Sequence, residues 1–258
     1  MASLKSKIIF ITGASSGIGK ACAEAFASKG SNLILCARRI STLNEIKKSL
    51  IKKYSIKVLA IELDVRKLRD VKKTISELPS QWKQIDILLN NAGLARGLNK
   101  FYEADTNHWE EMIDTNVKGL LYVTRTILPI MIEKQNGHVI NIGSTAGHEI
   151  YPMGSVYCAT KYAVKALSQS IRVDVLDKNI KVTSVDPGMV LTEFAKVRFS
   201  GDETRANKVY EGVKPLSPND IAEIVIFSAS RPDNVNINEI IVTPICQASS
   251  TQIFRRNK

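Results

Sequence analysis

Tyr157 and Lys161 occupy positions i and i+4 of the stretch Tyr157-Cys158-Ala159-Thr160-Lys161, and Ser144 lies thirteen positions upstream. Together they offer a proton donor, a cation to tune it and a hydroxyl to hold a carbonyl oxygen. If the stretch is helical, i and i+4 share one face and the Lys161 ammonium lies close to the Tyr157 phenol. An unperturbed phenol titrates near ~10, and each unit of depression corresponds to roughly 1.4 kcal/mol. A neighbouring positive charge favours phenolate, so this phenol is expected to be lowered. Such a group gives or takes the proton that accompanies chemistry at a carbonyl or alcohol carbon. A solvated surface helix offers the same spacing, so its meaning depends on its surroundings.

Those surroundings begin near the N-terminus. Residues 7–12 form a short apolar run (Ile8, Ile9, Phe10, Ile11) that enters Gly13-Ala14-Ser15-Ser16-Gly17-Ile18-Gly19. A helical pattern follows over 18–29. Strand, glycine turn and helix are the context of a dinucleotide fingerprint. Gly13 permits the turn, Gly17 lets the backbone approach a pyrophosphate, and Gly19 allows close helix packing. Ser15, Ser16 and Ile18 complete the cradle at a helix N-terminus, where free amides and the dipole favour an anion. The spacing here is G-x-x-x-G-x-G, which departs from the G-x-G-x-x-G template.

The second strand, 31–36, ends in Ala37-Arg38-Arg39, with no Asp or Glu between Gly30 and Asn44. An acidic residue near this point would bond a ribose 2′-hydroxyl, whereas arginine accommodates a 2′-phosphate. Arg38 and Arg39 therefore favour NADP over NAD, unless they merely begin a solvated helix.

Strand-like runs alternate with helical patterns along the rest of the chain. Helices are expected over 40–54, 68–78, 106–134, 155–177 and 218–230, and strands over 57–63, 85–90, 138–142, 181–185 and 239–242. That rhythm predicts an α/β fold of the doubly wound Rossmann kind, with a parallel seven-stranded sheet and helices on both faces. No linker or repeat interrupts it, so residues 1–258 are expected to form a single domain. Gly13, Asn90, Ser144 and Pro187 all follow strand ends and should converge on one crevice. The longest break, 188–215, has the length of a lid or binding element.

Composition narrows the function classes. Apolar residues are 44% and charged residues 24% of 258, enough apolar material for a sizeable core. No apolar stretch approaches the ~18 residues of a membrane helix. Residues 1–7 run straight into the first strand, so no leader and a cytoplasmic location are expected. Cys22, Cys36, Cys158 and Cys246 form no C-x-x-C pair and read as reduced thiols. The net charge of +11 is spread over solvated faces such as Lys47, Lys48, Lys52 and Lys53, and over the tail Arg255, Arg256 and Lys258. Without an aromatic or zinc module this argues against nucleic acid and for an anionic cofactor and an acidic substrate. His148, four residues after Ser144, is a candidate substrate contact. His108 is expected to face solvent and His138 to open a strand. No set of ligands is spaced for a metal.

The glycine turn with Ser144, Tyr157 and Lys161 resembles the short-chain dehydrogenase/reductase superfamily over almost the whole chain. Leu63-Asp64-Val65 resembles its adenine-contacting segment, and Asn90-Asn91-Ala92-Gly93 its fourth-strand motif. Asn116 falls at the position of its fourth catalytic residue. Asp186-Pro187-Gly188, with Val190 and Thr192, resembles the segment over the nicotinamide. The resemblance implies catalytic roles for Asn116, Ser144, Tyr157 and Lys161, with Asn116 shaping a water path. It implies cofactor contacts from Asp64, Val65, Asn91, Ala92, Gly93, Pro187, Gly188, Val190 and Thr192, as well as from Tyr157 and Lys161. It also implies a substrate lid over 188–215 and a homotetramer joined through the helices at 106–134 and 155–177.

A narrower resemblance, to NADP-dependent 3-hydroxy acid dehydrogenases, rests on Gly143-Ser144-Thr145-Ala146-Gly147, Tyr151-Pro152, Thr192-Glu193-Phe194, Val197-Arg198-Phe199 and residues 244–249. It implies oxidation of acids such as serine, allo-threonine and 3-hydroxypropionate, and makes Arg198 the candidate partner of the substrate carboxylate. Ser144 would hold the reacting oxygen. Two other readings stay open: a reductase of an acyl-carrier thioester, sugar or steroid, and a non-catalytic NADP-binding sensor. The tail 249–258 either docks on a neighbouring subunit or frays.

Overall fold

The computed structural model describes residues 2–256; Met1 and Lys258, the last of the basic tail, lie outside them. Seven short apolar runs form strands: β1 Ile8–Thr12, β2 Asn32–Ala37, β3 Val58–Glu62, β4 Ile87–Asn90, β5 Gly137–Ile142, β6 Ile180–Pro187 and β7 Glu239–Val242. They pair in parallel in the order β3-β2-β1-β4-β5-β6-β7. Every residue of β1 and β5 is buried, the pattern of a sheet covered on both faces.

Alternation assigns the side chains to two layers. Ile9, Ile11, Leu33 and Leu35 face a core completed by α1 (Gly17–Ser28), α2 (Ile40–Tyr54) and the late helix Pro218–Ala229. Phe10, Ile34 and Leu88 face the other layer, which includes Val71 from α3 (Leu68–Ser76) and Val123, Ile127 and Met131 from a long helical stretch further on.

That stretch was expected to be one helix over 106–134. It is α4 (Thr106–Ile113), a π turn at Asp114–Lys118, and α5 (Gly119–Glu133). Asp105 caps α4 by accepting from the Asn107 amide at 2.9 Å. A single wide turn leaves helical apolar spacing on both sides, so periodicity does not reveal it. The helix α6, Ser155–Asp174, follows β5 and is the longest of the fold.

The break at 188–215 carries α7 (Phe194–Arg198) and α8 (Glu203–Lys208), both too short to show a period. Asp202 caps α8 by accepting from the Arg205 amide. Pro218 opens the last helix, α9, behind a reciprocal capping box between Ser217 and Asp220.

Within the described residues the tail folds onto its own chain. Phe254 N donates to Cys246 O at 2.8 Å, and Arg256 N donates to Gly212 O at 2.9 Å. The Arg255 guanidinium donates to the carbonyls of Glu211 and Val209. All four cysteines are free thiols, and burial pushes those of Cys22 and Cys36 above their ordinary range. Among the described residues no helix is long and apolar enough to cross a membrane.

Candidate active site

Strand order reverses beside β1, whose neighbours are β2 and β4, and there a crevice of about 580 Å³ opens beyond the carboxyl ends of the strands. Gly13 leaves β1 with φ +64°, and a Cβ on it would lie 2.8 Å from Asn91 Nδ2 and 2.9 Å from Ala92 Cα. Only glycine fits that approach. Asn91 Nδ2 donates to the carbonyls of Thr12 and Gly13, while Thr12 Oγ1 accepts from the amides of Asn91 and Ala92. The glycine turn is thereby locked to the loop after β4. Ser16, at the N-cap of α1, makes no side-chain cap, and the first turn holds no acidic residue. The helix start is left suited to an anion.

Arg38 and Arg39 follow β2 and line the same crevice. Arg39 Nη2 donates to Ser15 Oγ at 3.1 Å and lies 3.5 Å from Glu193, so one arginine already leans over the turn. Below them the Arg66 guanidinium forks onto Asp64 at 2.9 and 2.6 Å and holds its carboxyl below the usual range.

At the other end Tyr157 and Lys161 lie in the first turns of α6, both buried. The Tyr157 ring meets Phe194 edge-on at 5.6 Å. Lys161 Nζ donates to Ile142 O, the last carbonyl of β5, at 2.9 Å, and lies 5.9 Å from the centroid of the Tyr157 ring. Burial pushes the Lys161 ammonium down to about 8, against the pull of Asp186. The expected lowering of the phenol is not found. Burial raises it, and the Ser144 hydroxyl and the Arg198 charge only partly oppose that rise. Ser144 follows β5, and its hydroxyl accepts from the Ala146 amide at 3.1 Å, starting a tight turn at Thr145–Gly147.

Arg198 closes this end from α7. Its guanidinium carbon lies 5.3 Å from the ring centroid of Tyr157, 5.5 Å from that of Tyr151 and 5.9 Å from that of Phe194. Nη2 donates to the Tyr151 hydroxyl, and Nε is buried with no partner among the described residues. Two contacts fix the backbone at this point: Gly97 N donates to Arg198 O, and Arg96 Nη1 donates to Val197 O at 2.6 Å. Arg96 is itself anchored by a fork onto Glu111.

Of the site residues expected from sequence, Gly19, Asn116 and His148 do not line the crevice. Gly19 packs α1 against Gly13 and Asn91. Asn116 sits buried in the π turn: Oδ1 accepts from Leu94 N, and Nδ2 donates to Leu94 O and Thr160 Oγ1. Its amide joins the loop after β4 to α6.

His148, expected as a substrate contact, stands off the crevice. Its Nε2 lies 2.8 Å from Asp186 Oδ2 and its Nδ1 lies 3.0 Å from Lys165 Nζ, so both ring nitrogens are engaged outside the crevice. His148, Asp186 and Glu239 do bring three metal-type ligand atoms within 4.8 Å of one another, which sequence spacing gave no sign of. The Lys165 ammonium beside the same imidazole opposes a cation there.

Tyr151, Arg66 and the tail residues Gln247, Ser250, Ile253 and Arg255 line the crevice without having been expected to. Gln247 Oε1 accepts from Met189 N at 2.8 Å, tying the tail to the segment after β6. Beyond residue 249 the tail carries no local motif, and its folded path brings it to the mouth.

Comparisons with known proteins agree with this geometry. Residues 7–203 match the family model described as short chain dehydrogenase. The chain is 44% identical to an NADP-dependent 3-hydroxy acid dehydrogenase of Schizosaccharomyces pombe, over 99% of both chains. It is 40% identical to sulfoacetaldehyde reductase 2 of Chromohalobacter salexigens, over 95% of this chain and 97% of that one. Among solved structures, the closed form of serine dehydrogenase complexed with NADP+ superposes with a TM-score of 0.91 at 40% identity, covering 97% of this chain and all of that one. A glycine cradle, a paired Tyr157 and Lys161 and a family match spanning most of its length lead to one conclusion: the chain belongs to the short-chain dehydrogenase family.

Proposed function

We propose that this protein is an NADP-dependent oxidoreductase that interconverts 3-hydroxy acids with 3-oxo acids or semialdehydes. The observation that carries the reading is the Arg198 guanidinium set 5.3 Å from the ring centroid of the buried Tyr157 phenol. A cation that close to the proton donor suits a substrate whose anionic group lies a short distance from its reacting carbon. Relatives named for hydroxy acids and for sulfoacetaldehyde share that demand for an anion.

The glycine cradle, Arg38 and Arg39 would hold the dinucleotide, with the arginines on its 2′-phosphate. Bound NADP supplies the two-electron redox chemistry. The chain's own residues supply the rest. Tyr157 gives its proton to the carbonyl oxygen in reduction and recovers it from the alcohol in oxidation. Ser144 donates a hydrogen bond to that same oxygen. Lys161 sets a positive charge beneath the phenol and favours the phenolate that reduction leaves behind. Asn116 positions α6 through Thr160 rather than touching the reactants. Arg198 binds the carboxylate.

We further place the enzyme in the cytoplasm, where four free thiols suit a reducing compartment. A homotetramer would cover the exposed apolar side chains of Leu121 on α5 and of Tyr162 and Val173 on α6.

The test is absorbance at 340 nm with NADP or NAD and a panel of L-serine, L-allo-threonine, 3-hydroxypropionate, 3-hydroxybutyrate and neutral alcohols, with sulfoacetaldehyde in the reducing direction. Reduction of NADP confined to hydroxy acids is the expected result; activity only on neutral alcohols sinks the substrate assignment. Converting Arg38 and Arg39 together to Ala should raise KM for NADP by about tenfold to a hundredfold, the loss of one or two charge-assisted contacts. KM for NAD should barely move. An equal effect on both cofactors would refute the 2′-phosphate role.

A further inference from the structure

The carboxylate end of the crevice holds a second tyrosine that the proposed chemistry leaves without a task. Tyr151 lines the crevice beside Ser144, Tyr157 and Arg198. It lies in the loop between the Thr145–Gly147 turn and α6. Its ring is packed so closely on the chain that a Cβ on Gly154 would overlap it, which fixes the direction of the phenol. The hydroxyl accepts from Arg198 Nη2. A phenol that accepts one hydrogen bond still has its own proton to donate. Among the described residues no acceptor takes it. Burial also pushes the Tyr151 hydroxyl above its ordinary range, which keeps that proton in place.

Arg198 shows the complementary vacancy in hydrogen bonding. Nη2 is spent on Tyr151, while Nε is buried with no partner among the described residues. Three ring centroids stand between 5.3 and 5.9 Å from the guanidinium carbon, and an oxyanion meeting it would be held by charge-assisted hydrogen bonds. Tyr151 and Tyr157 flank the same guanidinium, whose carbon lies 5.5 and 5.3 Å from their ring centroids.

We infer that Tyr151 and Arg198 form a two-armed carboxylate clamp, in which Tyr151 is a specificity-determining residue that donates its hydroxyl proton to the substrate carboxylate and holds the Arg198 fork in place. This rests on the functional reading above. It adds that recognition of the acid requires a neutral donor as well as a cation. The clamp binds the part of the substrate that does not react, so its loss appears in KM rather than in kcat.

The experiment compares 3-hydroxybutyrate with its neutral methyl ester in the wild type, Tyr151→Phe, Arg198→Met and the double variant, using purified full-length enzyme and saturating NADP. Phe keeps the ring and its packing, so the fold is preserved. Tyr151→Phe is expected to raise KM for the acid by about tenfold or more, with kcat within a factor of about three and the ester unaffected. The double variant should lose little beyond Arg198→Met, because the two arms act as one unit. A Tyr151→Phe loss that falls equally on acid and ester, or mainly on kcat, overturns the clamp and makes Tyr151 an accessory of Tyr157. No loss at all overturns it too. Wild type that prefers the ester refutes the hydroxy acid reading and the clamp together, whereas wild type that prefers the acid beside an indifferent Tyr151→Phe refutes the clamp alone.

Discussion

Tyr157→Phe is expected to lower turnover by about 10²–10⁴-fold while the dissociation constant for NADP stays within a factor of about three. The substitution removes one oxygen and keeps the ring that meets Phe194 at 5.6 Å and lies beneath Arg198. Packing, lid and cofactor cradle are therefore preserved, and only the proton donor is lost. Ser144 cannot take over, since a serine alcohol is a far weaker acid than a phenol. Single-turnover absorbance at 340 nm and fluorescence titration with NADPH measure the two quantities separately. A variant with turnover near the wild type would remove Tyr157 from the chemistry.

Lys161→Met should be inactive and yet more stable than the wild type at pH 7. An ordinary lysine titrates near 10.5, and burial brings this one down to about 8. Below pH 8 both folded and unfolded chains carry the proton, and keeping the charge buried costs about 3 kcal/mol at most. Between about pH 8 and 10.5 the unfolded chain holds a proton that the folded chain has released, so wild-type stability rises with pH across that window.

Methionine has similar length and no charge. It forfeits the hydrogen bond to Ile142 O and the attraction of Asp186, so the net gain at pH 7 is about 1–2 kcal/mol. Urea unfolding of both proteins at pH 7 and pH 9.5 checks this, and the advantage should shrink at the higher pH. A variant less stable than wild type at pH 7 would show that the ammonium is well compensated in the fold. Stability given up to keep a charge buried is a common trade at active sites.

The features legible in the sequence are those whose causes are local. The turn at Gly13 needs a positive φ and open space, and the residue type announces both. The strands announce themselves as short β-branched runs, and the helix at Ile40–Tyr54 by its apolar spacing. The pairing of Tyr157 with Lys161 follows from helical periodicity alone. What stayed hidden depends on remote neighbours. His148 sits four residues from Ser144, but Asp186 and Lys165 draw its ring outward, and both belong to other elements. Tyr151 gains meaning only when α7 brings Arg198 across to it. The rise of the Tyr157 phenol reflects how completely the fold buries it, which a spacing argument does not reach. The tail reaches the crevice through contacts with Glu211, Gly212 and Glu149, all distant in sequence.

The π turn at 114–118 carries one residue more than an α-helix of the same span would hold. Each residue of an α-helix subtends about 100° of rotation. Excising a single codon within 114–118 would let the turn relax to ordinary α geometry and swing α4 by about that angle against α5. Glu111, which anchors Arg96 beside α7, would turn away from it, and Asn116 would leave Leu94 and Thr160. Chain length across this segment is thereby as tightly constrained as residue identity: a substitution changes one side chain, whereas a deletion rotates a whole helix face.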